Sequence, residues 1–326
     1  MAPPAPAIDR LAAALDQVRV HAASSAAGRW PELASVLGDW LPRPTDPQIA
    51  LPLATAVAVG GELDDAVPFA AAWALICFSV RMLDDCADQD NPRALHLQLG
   101  IPRAFNLGTG GLLHAGAVIA RLPAAPDRVA DVLRRYLDAA VQACAGQDRD
   151  IAAPAASLDG YLQLIEDKTA SAFAFAAWAA ARLHTEAAPA LRAAEACGRH
   201  IGRMLQILDD LEACWFPIGL SDLGQGKRTL PAFFGLAQVD HPAQPELARI
   251  LASSVPWAEE RRVIEILDAM DVRRRVIWAA VKERDLARTA IAELAVPDGA
   301  AILDAYLDWT FRDVADMLTR PPLPQP

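Results

Sequence analysis

The chain has no cysteines at C-x-x-C spacing; its five, Cys77, Cys86, Cys144, Cys197 and Cys214, are scattered over 326 residues. An odd, dispersed set excludes a disulfide framework and a cysteine zinc site, and suits reduced thiols. Positive charge is scarce as well: 30 Lys and Arg face 41 Asp and Glu, a net −11. Neither nucleic acid nor an anionic membrane surface is therefore expected as the main partner. Alternating β-branched residues are missing, which removes the usual signature of half-buried strands. The longest apolar run without a charge, 66–80, is too short for a membrane span and reads as a core helix. The start, Met1-Ala2-Pro3-Pro4, has no basic stretch ahead of an apolar one, so no secretory signal is expected and a cytoplasmic location is.

What is present is helical. Hydrophobic residues make up 53% of the chain, alanine is abundant, and apolar positions recur at spacings of three and four. Helices are expected over 8–24, 31–37, 48–59, 67–90, 103–122, 126–145, 157–183 and 189–215. Further helices are expected over 230–238, 244–253, 258–270, 272–293 and 300–319. Pro42, Pro44, Gly60-Gly61, Pro92, Gly110-Gly111 and Pro217 punctuate them, and no linker divides the chain. The expectation is one all-α domain over 1–326, about a dozen helices, with proline-rich flexible ends at about 1–7 and 320–326. The segment 157–183 is apolar all round near Phe173, Phe175 and Trp178, and so should be central.

Chemistry concentrates at two helix ends. Arg81-Met82-Leu83-Asp84-Asp85-Cys86-Ala87-Asp88 closes a long apolar helix with carboxylates, and Asp84 and Asp88 stack one turn apart. A helix C-terminus carries partial negative charge, so acids there need a cation, and a hard divalent ion with a phosphate fits. An Arg81–Asp85 surface pair would contribute only ~0.3 kcal/mol and leaves most of that charge unexplained. Leu205-Gln206-Ile207-Leu208-Asp209-Asp210-Leu211-Glu212 repeats the theme at the end of another helix. Two such ends facing each other would form a metal-ready mouth. His114 and His200 lie on helical faces without metal spacing and read as packing residues.

Taken together, Asp84-Asp85-x-x-Asp88, Lys168-Thr169, Gln206-x-x-Asp209-Asp210 and Asp222-Leu223-x-x-Gly226-Lys227-Arg228-Thr229-Leu230-Pro231 resemble the trans-isoprenyl diphosphate synthases, the polyprenyl synthetase family. The resemblance implies an isoprenoid-synthase bundle of helices around a deep apolar cavity, with prenyl diphosphates as substrates. It implies that Asp84, Asp85, Asp88 and Asp209 are catalytic and bind Mg²⁺, three ions with the diphosphate, with Asp210 supporting the second site. It also implies diphosphate contacts from Arg93, Lys168, Thr169, Gln206, Lys227 and Arg228, and a homodimer.

Several positions depart from the family pattern. The basic Gly-Gly segment that serves the second substrate, isopentenyl diphosphate, is matched to Gly60-Gly61-Glu62-Leu63-Asp64-Asp65, where acids replace cations. The family's histidine seven residues before the first Asp is Cys77, and the arginine pair is Arg93-Ala94. On that match the second substrate loses several charge-assisted hydrogen bonds of ~1.5–3 kcal/mol each. The expectation is then a class I terpene synthase that ionises one prenyl diphosphate of C15 or longer and cyclises or quenches the cation. Trp73, Phe78, Phe173, Phe175, Trp178 and Trp215 are the candidates for aromatic faces, with ordinary core packing the stronger reading for each. The alternatives are a chain-elongating prenyltransferase, with Arg43, Arg81 or Arg103 replacing the lost cations, and a non-catalytic partner subunit.

Overall fold

A computed structural model describes residues 5–40, 47–152, 155–253, 256–294 and 297–320. The helices run α1 (Ala5–Ala27), α2 (Pro31–Trp40), α3 (Pro47–Ala58), α4 (Leu63–Asp88), the short α5 (His96–Leu99), α6 (Ile101–Ile119) and α7 (Pro126–Ala152). They continue as α8 (Leu158–Ile165), α9 (Ser171–His184), α10 (Ala188–Trp215), α11 (Leu230–Leu236) and α12 (Gln244–Leu251). The last are α13 (Glu260–Ala269), α14 (Val272–Ile291), α15 (Pro297–Thr310) and α16 (Val314–Met317). No strand occurs among the described residues, as the missing alternation predicts. The expected end at 1–7 is already helical from Ala5, and 321–326 lie outside the described residues.

Two long helices form the frame. α4 packs along α6 and against α1 and α3, while α10 packs along α9 and α14. Small residues set these spacings: a Cβ on Gly108 of α6 would lie 2.8 Å from Leu83 Cγ, and one on Gly198 of α10 would lie 2.7 Å from Ala177 Cβ. By length and composition α4 is able to cross a membrane, but 72% of its apolar window is buried inside the fold, as a core helix requires. It begins earlier than the sequence suggests. Asp64 and Asp65 favour the first turn, and Pro68 sits inside the helix at the loss of one bond near an exposed end.

The position of that start overturns one expectation. Gly60-Gly61 forms the turn between α3 and α4: Gly60 takes φ 90°, and the Gly61 N–H donates to Ala56 O at 2.8 Å. A Cβ on Gly61 would meet the His184 ring at 2.6 Å, so the glycines serve a tight turn. Asp64 precedes Asp84 by twenty residues of one helix, about 30 Å at 1.5 Å per residue. Glu62, Asp64 and Asp65 therefore lie at the far end of the bundle and cannot repel a diphosphate held at Asp84. Arg43 falls outside the described residues.

The aromatic side chains are committed to packing. Trp73 is 1% exposed, donates Nε1–H to Gln48 O at 3.0 Å and meets Phe173 edge-on. Phe78 packs on Trp40, Phe175 on Phe69 and Tyr136, and Trp178 lies under the Arg135 guanidinium. Trp215 donates to Asp268 and stacks beneath Arg273. Core packing accounts for each of them.

Candidate active site

Both acidic helix ends reach one mouth, and lysines lie between the acids. Lys168 Nζ is 3.1 Å from an Asp84 oxygen on α4 and 3.1 Å from an Asp150 oxygen on α7. Lys227 Nζ is 2.7 Å from Asp88 Oδ2. From the α10 side, Thr169 Oγ1 donates to Gln206 Oε1 at 2.8 Å, which links Lys168's neighbour to the helix carrying Asp209. Asp84 and Asp209 are near enough that the charge of Asp84 raises the Asp209 carboxyl. Asn91 Nδ2 donates to Asp85 at 3.2 Å, and Gln225 Nε2 donates to Asp90 at 2.7 Å, so the loops after α4 and α10 are tied together. The close of α4 is set by Gln89, which takes a left-handed conformation at φ 52° and donates its N–H to Asp85 O.

Local geometry sorts the predicted residues. Asp84 and Asp88 meet Lys168 and Lys227 directly, Thr169 bonds Gln206, Asp85 bonds Asn91, and Asp209 is raised by burial and by Glu212, and further by Asp84. Arg93 lies just beyond, exposed and in no ion pair with the described residues, its backbone N–H donating to Asn91. Asp210 is 2% exposed; Oδ2 accepts from Tyr161 Oη at 2.6 Å and from the Leu230 N–H at 3.1 Å, and Oδ1 accepts from Gln206 Nε2 at 3.2 Å. Neighbouring residues on a helix point about 100° apart, and here Asp209 is exposed while Asp210 is turned into the core. Asp210, expected to support the second metal site, is an internal tie beneath it. The Arg228 guanidinium donates to Leu251 O at 2.8 Å, at the end of α12.

Two mouth residues escape the sequence reading. Gln147 Nε2 donates to Asp84 Oδ1 at 3.2 Å, while its buried Oε1 has no partner, and Asp150 holds Lys168. Both ride on the last two turns of α7, beyond the expected stop at 145, because Gly146 resembles a terminus. Gly146 instead allows close approach: a Cβ there would lie 3.1 Å from the Lys168 backbone nitrogen. Gln147 and Asp150 three apart on an amphipathic helix were the available signal. Arg81, expected as a surface partner of Asp85 or a substitute cation, lies near both acidic ends: burial raises the Asp85 and Asp209 carboxyls, and the charge of Arg81 opposes that rise in each.

The electrostatics come from crowding. Burial first, then Asp222, pushes Asp210 up to about 8 against its three hydrogen bonds. Asp209 shows one side to solvent while protein encloses the others. That enclosure, followed by Glu212, pushes it up to about 7, with Arg81 opposing the rise. Burial pushes Asp222 up to about 6, and Asp85 and Asp88 are raised by burial as well. Burial works against the charge on Lys168, but Asp84 and Asp150 outweigh it and hold the ammonium charged. Burial also raises the Cys86 thiol, which removes it as a nucleophile. His114 pairs with Ser25 and His200 with Glu283, both as packing residues.

The donors at the mouth are all oxygens, which fits a hard divalent ion. Among the described residues no three acidic, histidine or cysteine side chains already converge as a complete ligand set. That arrangement suits an ion held by one or two carboxylates with substrate phosphate oxygens.

Residues 47–270, more than half the chain, match the family described as polyprenyl synthetase, and the chain belongs to that family. A short chain isoprenyl diphosphate synthase of Methanothermobacter thermautotrophicus is 29% identical over 261 residues, covering 76% of this chain and 78% of that protein. The octaprenyl diphosphate synthase of Escherichia coli is 25% identical over 252 residues, covering 74% and 76%. The fold is that of a geranylgeranyl pyrophosphate synthetase from Pyrococcus horikoshii, with TM-score 0.81, 21% identity and coverage of 97% and 98%. A Caulobacter crescentus polyprenyl synthase, crystallised with calcium and isoprenyl diphosphate, superposes with TM-score 0.79 at 20% identity, covering 95% and 98%. These relatives favour a prenyltransferase over the expected terpene synthase. The distant acids remove one of that expectation's supports.

The raised acids set a pH dependence. Asp209, Asp210 and Asp222 start from 3.8 when unfolded, so the folded protein holds more protons than the unfolded chain between there and about 8. Their stabilising contribution is full below 3.8 and drains as pH climbs through about 6, 7 and 8. Thermal unfolding in chelator should therefore show a lower Tm at about pH 8.5 than at about pH 5.5, and saturating Mg²⁺ should shrink the gap. A Tm that rises with pH in chelator would contradict this.

Proposed function

We propose that the chain is a divalent-metal-dependent isoprenyl diphosphate synthase that couples an allylic prenyl diphosphate to isopentenyl diphosphate. The observation that carries this reading is the mouth in which Asp84, Asp88 and Asp209 meet Lys168 and Lys227, in a chain of the polyprenyl synthetase family. Asp84, Asp85, Asp88 and Asp209 would hold the ions, with Mg²⁺ as the natural choice. When bound, the ions supply the positive charge that lets the diphosphate leave.

The protein's own groups do the rest. Lys168 and Lys227 exchange carboxylate partners for phosphate oxygens, and Arg93 reaches the same group from the rim. As the allylic C–O bond breaks, its electron pair stays on the diphosphate, and these fixed cations stabilise the charge that develops there. The isopentenyl double bond then supplies the electrons of the new C–C bond, and the released diphosphate takes up the proton that the coupled cation loses. Gln206, held by Thr169, would present its amide to the bound substrate. Arg81, between the two acidic ends, is the cation offered to the second diphosphate.

A second copy of the chain is the proposed partner. Ile101, Phe105 and Leu113 recur on one side of α6 at 41%, 56% and 74% exposure, and Leu137 and Val141 add to it from the adjoining α7. Such a stripe is more than scattered surface apolar residues require. Phe105→Glu should turn a dimer into a monomer in light scattering; an unchanged mass would sink this face as the interface.

The activity is tested with geranyl, farnesyl and geranylgeranyl diphosphate and Mg²⁺, each with and without isopentenyl diphosphate. Longer diphosphates should form only when both substrates are present. Asp84→Ala should lower kcat by at least about 10²-fold, the scale for loss of a charge-stabilising group. Hydrocarbons or alcohols from one substrate alone would overturn the reading in favour of a terpene synthase.

A further inference from the structure

The chain between α8 and α9 makes one turn of π-helix, Glu166–Ala170, and this turn presents Lys168 and Thr169 to the mouth. A π turn holds one residue more than the α-helix would, and such turns persist where their surroundings support them. Here two glycines let neighbouring helices close on the turn. A Cβ on Gly146 of α7 would lie 3.1 Å from Lys168 N, and one on Gly202 of α10 would lie 2.8 Å from Ala170 Cα.

The two acids of the turn are anchored in different directions. Glu166 pairs with Arg199 and Arg203 of α10, and Arg203 donates both Nε–H and Nη2–H to Glu166 Oε2, at 2.9 and 2.7 Å. Asp167 faces α7, pairing with Arg149 and accepting from Gln142 Nε2 at 2.9 Å, and it accepts also from Gln163 Nε2 at 3.2 Å. Its backbone carbonyl accepts from Ser171 Oγ at 2.8 Å. None of these bonds goes to Asp84, Asp150, Gln206 or Asp209. The anchors fix the backbone on either side of the turn while the next two residues carry the polar groups of the site.

We propose that Glu166 and Asp167 are positioning residues that hold the π turn between α7 and α10, and so set where the Lys168 ammonium and Thr169 hydroxyl meet the diphosphate. Losing the extra residue's register would rotate the succeeding residues by about 100°, one residue's step on an α-helix, and would carry Lys168 away from Asp84 and Asp150. The inference rests on the proposed reading of the mouth as a diphosphate site.

A double-mutant cycle tests it, with inorganic diphosphate in saturating Mg²⁺ as the probe and calorimetry as the readout. The proteins are the full chain, Glu166→Gln, Asp167→Asn, Lys168→Gln and the two doubles with Lys168→Gln, each checked by thermal unfolding. Lys168→Gln should weaken binding about tenfold, the loss of one charge-assisted hydrogen bond. Each acid variant alone should weaken it by about fivefold, and neither should weaken it further once Lys168 is gone, because residues acting through one group are not additive. Unchanged binding in both acid variants, or losses that multiply with that of Lys168→Gln, would overturn the proposal while leaving the site intact. Absence of diphosphate binding by the full chain would instead remove the reading of the site, and the proposal with it. If Asp167→Asn does not fold, Glu166→Gln carries the cycle alone, since its arginine partners are partly exposed.

Discussion

Like charges brought to one place are the constraint on which the rest of this structure depends. α4 and α10 end in carboxylates that face each other, against the polarity of both helices and within a partly enclosed mouth. Without cations that arrangement is unfavourable, and the fold supplies them from two separate segments. Lys168 comes from the π turn and Lys227 from the loop before α11, and each bonds directly to a carboxylate of α4. In the proposed reading the acids that strain the protein would draw a divalent ion and its diphosphate, so the electrostatic cost of the mouth and its chemistry would be one feature.

Rigidity around the mouth comes from groups that never enter it. Asp210 bonds at once to Tyr161 on α8, to Gln206 on its own helix and to the first N–H of α11. It thereby fixes α10 against the segment that carries Lys227. Gly146 and Gly202 bring α7 and α10 close to the backbone of the π turn from two sides. Asp222 accepts from Thr229 within the loop that holds Lys227, and the Lys227 N–H donates to Asp222 O at 2.8 Å. A site of opposed charges stays open because these ties are buried and hydrogen-bonded.

Much of this is legible in the residues, and the misses have physical reasons. The helical period and the two acidic helix ends locate the mouth, since charge at an apolar helix end has few bland explanations. Which of two adjacent aspartates faces the mouth cannot be read from their order, because each lies on a different side of the helix; Asp209 and Asp210 take opposite tasks for that reason. Gln147 and Asp150 escape notice because Gly146 resembles a helix stop, and only the approach of the Lys168 backbone explains a glycine there. Gly60-Gly61 misleads in the other direction. A glycine pair beside acids resembles an altered phosphate site, whereas the length of α4 puts it about 30 Å away.

In the proposed reading α4 and α10 share the ions through Asp84, Asp85, Asp88 and Asp209, with Asp210 kept inside the protein. A crystal structure with Mg²⁺ and a thiolo analogue of an allylic diphosphate tests this most directly. Ions held by the α4 aspartates and Asp209 are expected, with Lys168 and Lys227 turned onto phosphate oxygens and Asp210 still bonded to Tyr161 and Leu230. An ion on Asp210, or a diphosphate bound away from Lys168, would contradict it.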